Sequence, residues 1–83
     1  MNTLTVEKTK LPMILGLKFE GKQIQVKLSD GRILSLPLVW YPKLATASKR
    51  QLENFKISPA GYGIHWPELD EDLSVHGFLF PNK

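Results

Sequence analysis

The sequence contains no cysteine, so disulfides, thiolate metal sites and cysteine nucleophiles are excluded. A small fold without such staples depends on its apolar core, or on association with another chain. Long hydrophobic runs are missing as well. The most apolar stretch free of charge, Ile33 to Tyr41, is interrupted by Ser35 and Pro37, is bounded by Pro42 and is far too short to cross a bilayer. The first ten residues are polar and charged, unlike a secretory signal, and a cytoplasmic protein is expected. Repeats, low-complexity tracts and linker-like segments are absent.

What is there fits one small α+β domain spanning residues 1–83, with residues 1–12 weakly paired because Pro12 breaks regular structure. A chain this short buries roughly 60 % of its unfolded surface. That leaves no room for a deep catalytic cavity beside a core, so any site belongs on an edge, a face or a loop, or is completed by a second chain. Apolar residues make up 42 % and charged ones 23 %, the balance of a globular rather than a disordered chain. The net charge of +3 is unevenly spread. Residues 1–66 hold ten Lys/Arg against Glu7, Glu20, Asp30 and Glu53, whereas residues 67–83 hold Glu68, Asp70, Glu71 and Asp72 against Lys83 alone. Such asymmetry can steer association with a charged partner, though a short acidic loop is also an ordinary solvated surface.

Strict alternation in Gln23–Leu28 predicts a strand with Ile24, Val26 and Leu28 on one face. Met13–Glu20 before it and Ile33–Leu36 after it complete a three-stranded antiparallel meander. Gly21-Lys22 is the first turn, and Asp30-Gly31 the second, expected as type I′. Pro37 takes the chain out of the sheet. A thin apolar stripe, Leu44, Ala47, Leu52 and Phe55, predicts a helix over Leu44–Phe55, or a short one within residues 43–54; Gln51 interrupts the stripe, and Thr46 or Ser48 could cap a shortened version. A hairpin, Phe55–Ser58 and Tyr62–Trp66, is expected to close the sheet, and Ser74–Phe80 to form a last helical turn. Asp70 or Asp72 would cap that turn.

The residues that could carry chemistry point in several directions. His65, Glu68, Asp70, Glu71, Asp72 and His76 form an acidic-histidine cluster whose side chains suit a divalent metal, yet their spacing matches no metal motif, and structural or interaction roles are the favoured reading. The serines lack a nucleophile elbow, and no cavity is expected to assemble a triad, so no enzyme activity, metal or cofactor is expected. Gly61-Tyr62-Gly63 reads as a turn rather than a phosphate loop. Lys43, Lys49, Arg50 and Lys56, with Lys18, Lys22, Lys27 and Arg32 on the sheet, could meet phosphates, while Trp40, Tyr41, Tyr62 and Trp66 could stack on bases. The lysines are dispersed, however, and no RNA-binding signature is present. The same aromatics serve equally as core or protein-interface anchors.

The run from Gly61 through His65-Trp66-Pro67 and Leu69-Asp70-Glu71-Asp72 to Val75 resembles the C-terminal signature of a bacterial family catalogued as domain of unknown function 2442. Leu28-Ser29-Asp30-Gly31-Arg32 and Pro37–Leu44 are similar to that family's hairpin and proline-flanked aromatic segment. The resemblance spans residues 13–80 and implies a small α+β domain with an antiparallel sheet and short helices. Some relatives continue into a helix-turn-helix domain. Stand-alone relatives are often encoded beside a small protein of the family catalogued as domain of unknown function 4160, a pairing that resembles a toxin–antitoxin arrangement. The family offers no catalytic residues to carry over. The expectation is therefore a protein-binding regulatory module, antitoxin-like, that contacts a partner encoded nearby through Trp40, Tyr41, Trp66, Glu68, Asp70, Glu71 and Asp72. Nucleic-acid binding through Lys43, Lys49, Arg50 and Lys56 is the alternative, and self-association stays open.

Overall fold

The computed structural model describes residues 11–80; apart from Leu11 and Pro12, the weakly paired start expected for residues 1–12 lies outside them. Strands β1 (Ile14–Glu20), β2 (Gln23–Leu28) and β3 (Ile33–Pro37) form an antiparallel sheet in the order β1-β2-β3. Val26 lies between Leu17 and Leu34, and Ile24 between Phe19 and Leu36. The alternation of β2 thus puts Ile24, Val26 and Leu28 in the core and leaves Gln23, Gln25 and Lys27 on the outer face. A bulge at Leu15 shifts the register between Ile14 and Gly16.

The β2–β3 connection differs from the type I′ turn expected at Asp30-Gly31. That turn needs positive φ at both residues, and only Gly31 has it, at 98°. Instead Ser29-Asp30-Gly31 forms a three-residue loop, closed by the Leu28 N–H donating to the Arg32 carbonyl at 2.9 Å and the Gly31 N–H to the Leu28 carbonyl at 3.1 Å. The Asp30 carboxylate accepts from the Arg32 backbone N–H (3.1 Å) and from its guanidinium (2.8 Å), a local bond that holds this wider loop.

Beyond Pro37 a short 3-10 turn, Leu38–Trp40, leads into helices α1 (Pro42–Ala45) and α2 (Lys49–Glu53). The single helix expected over Leu44–Phe55 is broken at residues 46–48, because Ser48 restarts it. The Ser48 hydroxyl accepts from the Gln51 N–H at 3.1 Å, and the Gln51 side chain accepts from the Ser48 N–H at 3.0 Å. This reciprocal capping box explains why Gln51 interrupts the apolar stripe.

The expected second hairpin forms, but it does not extend the first sheet. Strands β4 (Lys56–Ile57), β5 (Gly63–Trp66) and β6 (Glu71–Ser74) make a separate antiparallel sheet in the order β4-β5-β6, so Glu71 and Asp72, expected in a loop, lie on a strand. Helix α3 (Val75–Leu79) falls within the expected last turn. Its cap is Ser74, whose hydroxyl accepts from the Gly77 N–H at 3.1 Å, not Asp70 or Asp72, which are committed to the turn and the strand before it.

One core joins the halves: Ile14, Ile24, Val26, Leu28 and Leu36 from the first sheet, Leu44 and Leu52 from the helices, and Ile64, Trp66, Val75 and Phe78 from the second half. At the junction the Ile14 N–H donates to the Gly61 carbonyl at 2.7 Å. Gly61 has φ 85°, and a Cβ there would lie 2.9 Å from the Met13 Cβ, so only glycine lets the two chain segments approach.

Candidate functional site

Pro42 opens α1 at a position where its missing N–H is harmless. The next residue, Lys43, reaches the turn between β5 and β6, and its ammonium donates to the Asp70 carbonyl at 2.9 Å and lies 3.9 Å from a Glu71 carboxylate oxygen. Asp70 has φ 52°, the only positive value at a non-glycine among the described residues; Asp is one of the few residue types that visits this region readily. From α2, Arg50 grips Glu68 with both arms of its fork, at 2.9 and 3.0 Å, and the Asn54 side-chain amide donates to the same carboxylate at 3.1 Å. Hydrogen bonding to Arg50 holds the Glu68 carboxyl below its ordinary range, and the same bond raises Arg50. Across β5–β6, the His65 Nδ1 and an Asp72 carboxylate oxygen lie 2.6 Å apart.

These contacts bring the proline-flanked aromatic segment and the acidic turn together, as the sequence reading grouped them, but they change the meaning of the charges. Glu68 and Glu71 face Arg50 and Lys43 within the same chain, so part of the charge asymmetry along the sequence is compensated locally. Of the cations proposed for nucleic acid, Lys43 and Arg50 are committed to these contacts, while Lys49 and Lys56 are exposed.

Trp66 needs correction. It is 0 % exposed, its indole N–H donates to the Leu52 carbonyl at 2.9 Å, and its ring packs against Phe55 with centroids 6.1 Å apart. It is a core residue and leaves the contact set. Trp40 and Tyr41 are half-buried; Tyr41 meets Phe78 edge-on at 6.4 Å, and burial raises the pKa of its phenol. Within the Leu38–Tyr41 segment, which the sequence offers as a docking patch, the residue not singled out there is Val39, 74 % exposed. Its neighbours Leu38, Trp40 and Tyr41 in the same proline-flanked segment pack against the core, and Val39 is left facing outward.

Elsewhere the surface offers open hollows. One of about 310 Å³ lies on the outer face of the first sheet, lined by Gly16, Lys18, Gln25, Lys27 and Ile33. Another of about 400 Å³ on the second sheet is bordered by Lys56, His65, Asp72 and Leu73. Among the described residues no polar or charged residue is buried, no three His, Asp or Glu side chains converge on a metal site, and no helix is long and apolar enough to cross a membrane.

Known structures share this architecture. A crystal structure of a protein of unknown function from Rhodospirillum rubrum superposes with a TM-score of 0.72 at 30 % identity, over 84 % of this chain and 87 % of that one. A solution structure of an uncharacterised protein from Chromobacterium violaceum gives a TM-score of 0.70 at 23 % identity, over 92 % of this chain and 71 % of that one, a likeness of fold alone. No curated protein matches the chain. Residues 14–83 match the family described as Protein of unknown function (DUF2442), and with the Rhodospirillum rubrum protein aligned over most of both chains, this protein belongs to that family.

Proposed function

We propose that this protein is a binding module for another protein, a regulatory and antitoxin-like one, that acts by holding its partner and catalyses no reaction. The observation that carries this reading is the Lys43 bridge to Asp70, which ties the chain just after the Leu38–Tyr41 segment to the acidic turn, while Val39 stands exposed on that segment. Apolar and aromatic side chains anchored on a rigid support, with a charged rim around them, are the usual make-up of an interface hot spot. Val39 supplies the apolar contact, with Trp40 and Tyr41 half-buried behind it. Asp70 supplies the acidic rim, its carboxylate having no ion pair among the described residues. A partner with an apolar pocket bordered by basic groups fits this surface.

The test is co-expression with the small protein encoded next to the gene. The two should co-purify at low salt, and Val39→Asp should abolish co-purification while leaving the thermal unfolding of the isolated protein unchanged. Absence of binding between the wild-type proteins at micromolar concentration overturns the proposal.

A further inference from the structure

The two edges of the first sheet are not equally protected. In the β2–β3 ladder the Leu28 N–H donates to Arg32 at one end, and the Leu38 N–H donates to Lys22 at the other, both at 2.9 Å. With Val26 opposite Leu34 and Ile24 opposite Leu36, the antiparallel alternation makes these even-numbered pairs the bonded ones. The backbone N–H and C=O groups of Ile33 and Ser35 therefore point away from β2, and no strand lies beyond β3 among the described residues. Natural sheets guard such edges with charge, proline or bulges. Strand β1 has the bulge at Leu15, and both Lys18 and Glu20. Strand β3 is uncharged from Ile33 to Leu36, has a proline only at its last position, and exposes 62 % of Ile33.

We infer that β3 is a strand-addition site for an extended segment of a partner protein whose side chains alternate between apolar and acidic. Main-chain hydrogen bonds to Ile33 and Ser35 supply the affinity, and the flanking side chains set the selectivity. The inner face beside the edge is lined by Leu34 and Leu36, which calls for apolar residues. On the outer face β2 and β3 carry no acid, and Lys27 stands opposite Ile33 and borders the open hollow next to it; Arg32 is held by Asp30 and Lys18 lies 3.7 Å from Glu20, so Lys27 is the cation left without an ion pair there among the described residues. This charge favours an acidic segment over a second copy, whose own β3 carries no acid and would bring a second Lys27 with it. The inference rests on the protein-binding reading above and adds a second contact, distinct from Val39.

Ser35→Pro tests it cleanly. The Ser35 N–H faces outward, so proline there removes a donor from the free edge without breaking a β2–β3 bond. The probe is a synthetic peptide alternating Val and Glu, titrated into the labelled protein by NMR and compared with its Val-Lys counterpart. The Val-Glu peptide should shift the Ile33 and Ser35 amides. Ser35→Pro should weaken binding by about tenfold with unchanged thermal unfolding, and the Val-Lys peptide should not bind. Equal binding to Ser35→Pro, shifts confined to other surfaces, or a wild-type dimer that Ser35→Pro dissolves would each overturn the inference. Loss of the neighbour-encoded protein on Val39→Asp but not on Ser35→Pro would overturn it while leaving the protein-binding proposal standing.

Discussion

The two sheets are built to different rules. The first, β1–β3, is specified locally: strands of five to seven residues, strict alternation in the central one, and short connections that fix the register. The second, β4–β6, has strands of two to four residues and too little ladder to stand alone. It is held instead by contacts distant in sequence: the Trp66 indole on Leu52, Arg50 and Asn54 on Glu68, and Lys43 on Asp70. A region specified by pattern tolerates exchange of its outward residues, whereas a region specified by individual ties fails when one of them is removed. The proposed binding surface lies on the second kind, so the ties that build it also set its shape.

The largest expected effect comes from Trp66→Ala, which empties the centre of the second sheet and leaves the Leu52 carbonyl without its donor. It should lower stability by about 3–5 kcal/mol, measured by urea unfolding; a cost below about 1 kcal/mol would break the contrast between the two halves. Gly61→Ala attacks the junction. Its positive φ and the close Met13 Cβ should cost about 2 kcal/mol, checked in the same way. Ser48→Ala removes the capping box of α2, which presents Arg50, and should cost about 1 kcal/mol in thermal unfolding.

The pattern of these ties explains what was readable from the sequence. The first sheet was legible because Ile24, Val26 and Leu28 declare their face by period alone and Pro37 ends it. Only the loop type was misjudged, since Asp-Gly suits two hairpin geometries and the choice depends on the Asp30–Arg32 contact. Helix α3 was legible as a short apolar turn, but its cap was not: Asp70 or Asp72 was expected, and Ser74 does it. The middle was half legible: Ser48 was one of two candidate caps, but its reciprocity with Gln51 is what splits the helix. Strand β6 was hidden because Glu71-Asp72-Leu73-Ser74 has poor strand propensity and pairs only because β5 presents His65 and Ile64 opposite Asp72 and Leu73. The burial of Trp66 was equally hidden, since a tryptophan before a proline reads alike as anchor or core until Leu52 is seen beside it. The grouping of the aromatic segment with the acidic turn followed from the residue types that interfaces favour and from the uneven charge, and the Lys43 bridge that joins them had no local signal.

The smallest effect concerns pH. The folded pKa of Glu68 is lowered by Arg50 from an ordinary 4.5, so its contribution to stability is present above that value and fades as pH falls through the lower folded one. Asp30, lowered by Arg32, acts in the same direction. Glu68→Gln should therefore melt below the wild type at neutral pH and converge with it on acidification, followed by thermal melts between about pH 7 and 3. A gap that stays constant with pH would remove the Arg50–Glu68 ion pair from the list of ties.

The most direct test is amide hydrogen exchange on the wild-type protein, alone and mixed with the proposed protein partner. Added protection is expected over residues 38–41 and 67–72 when the partner is present. No added protection at micromolar concentrations, or protection confined to the outer face of β4 and β5, would contradict the protein-binding reading.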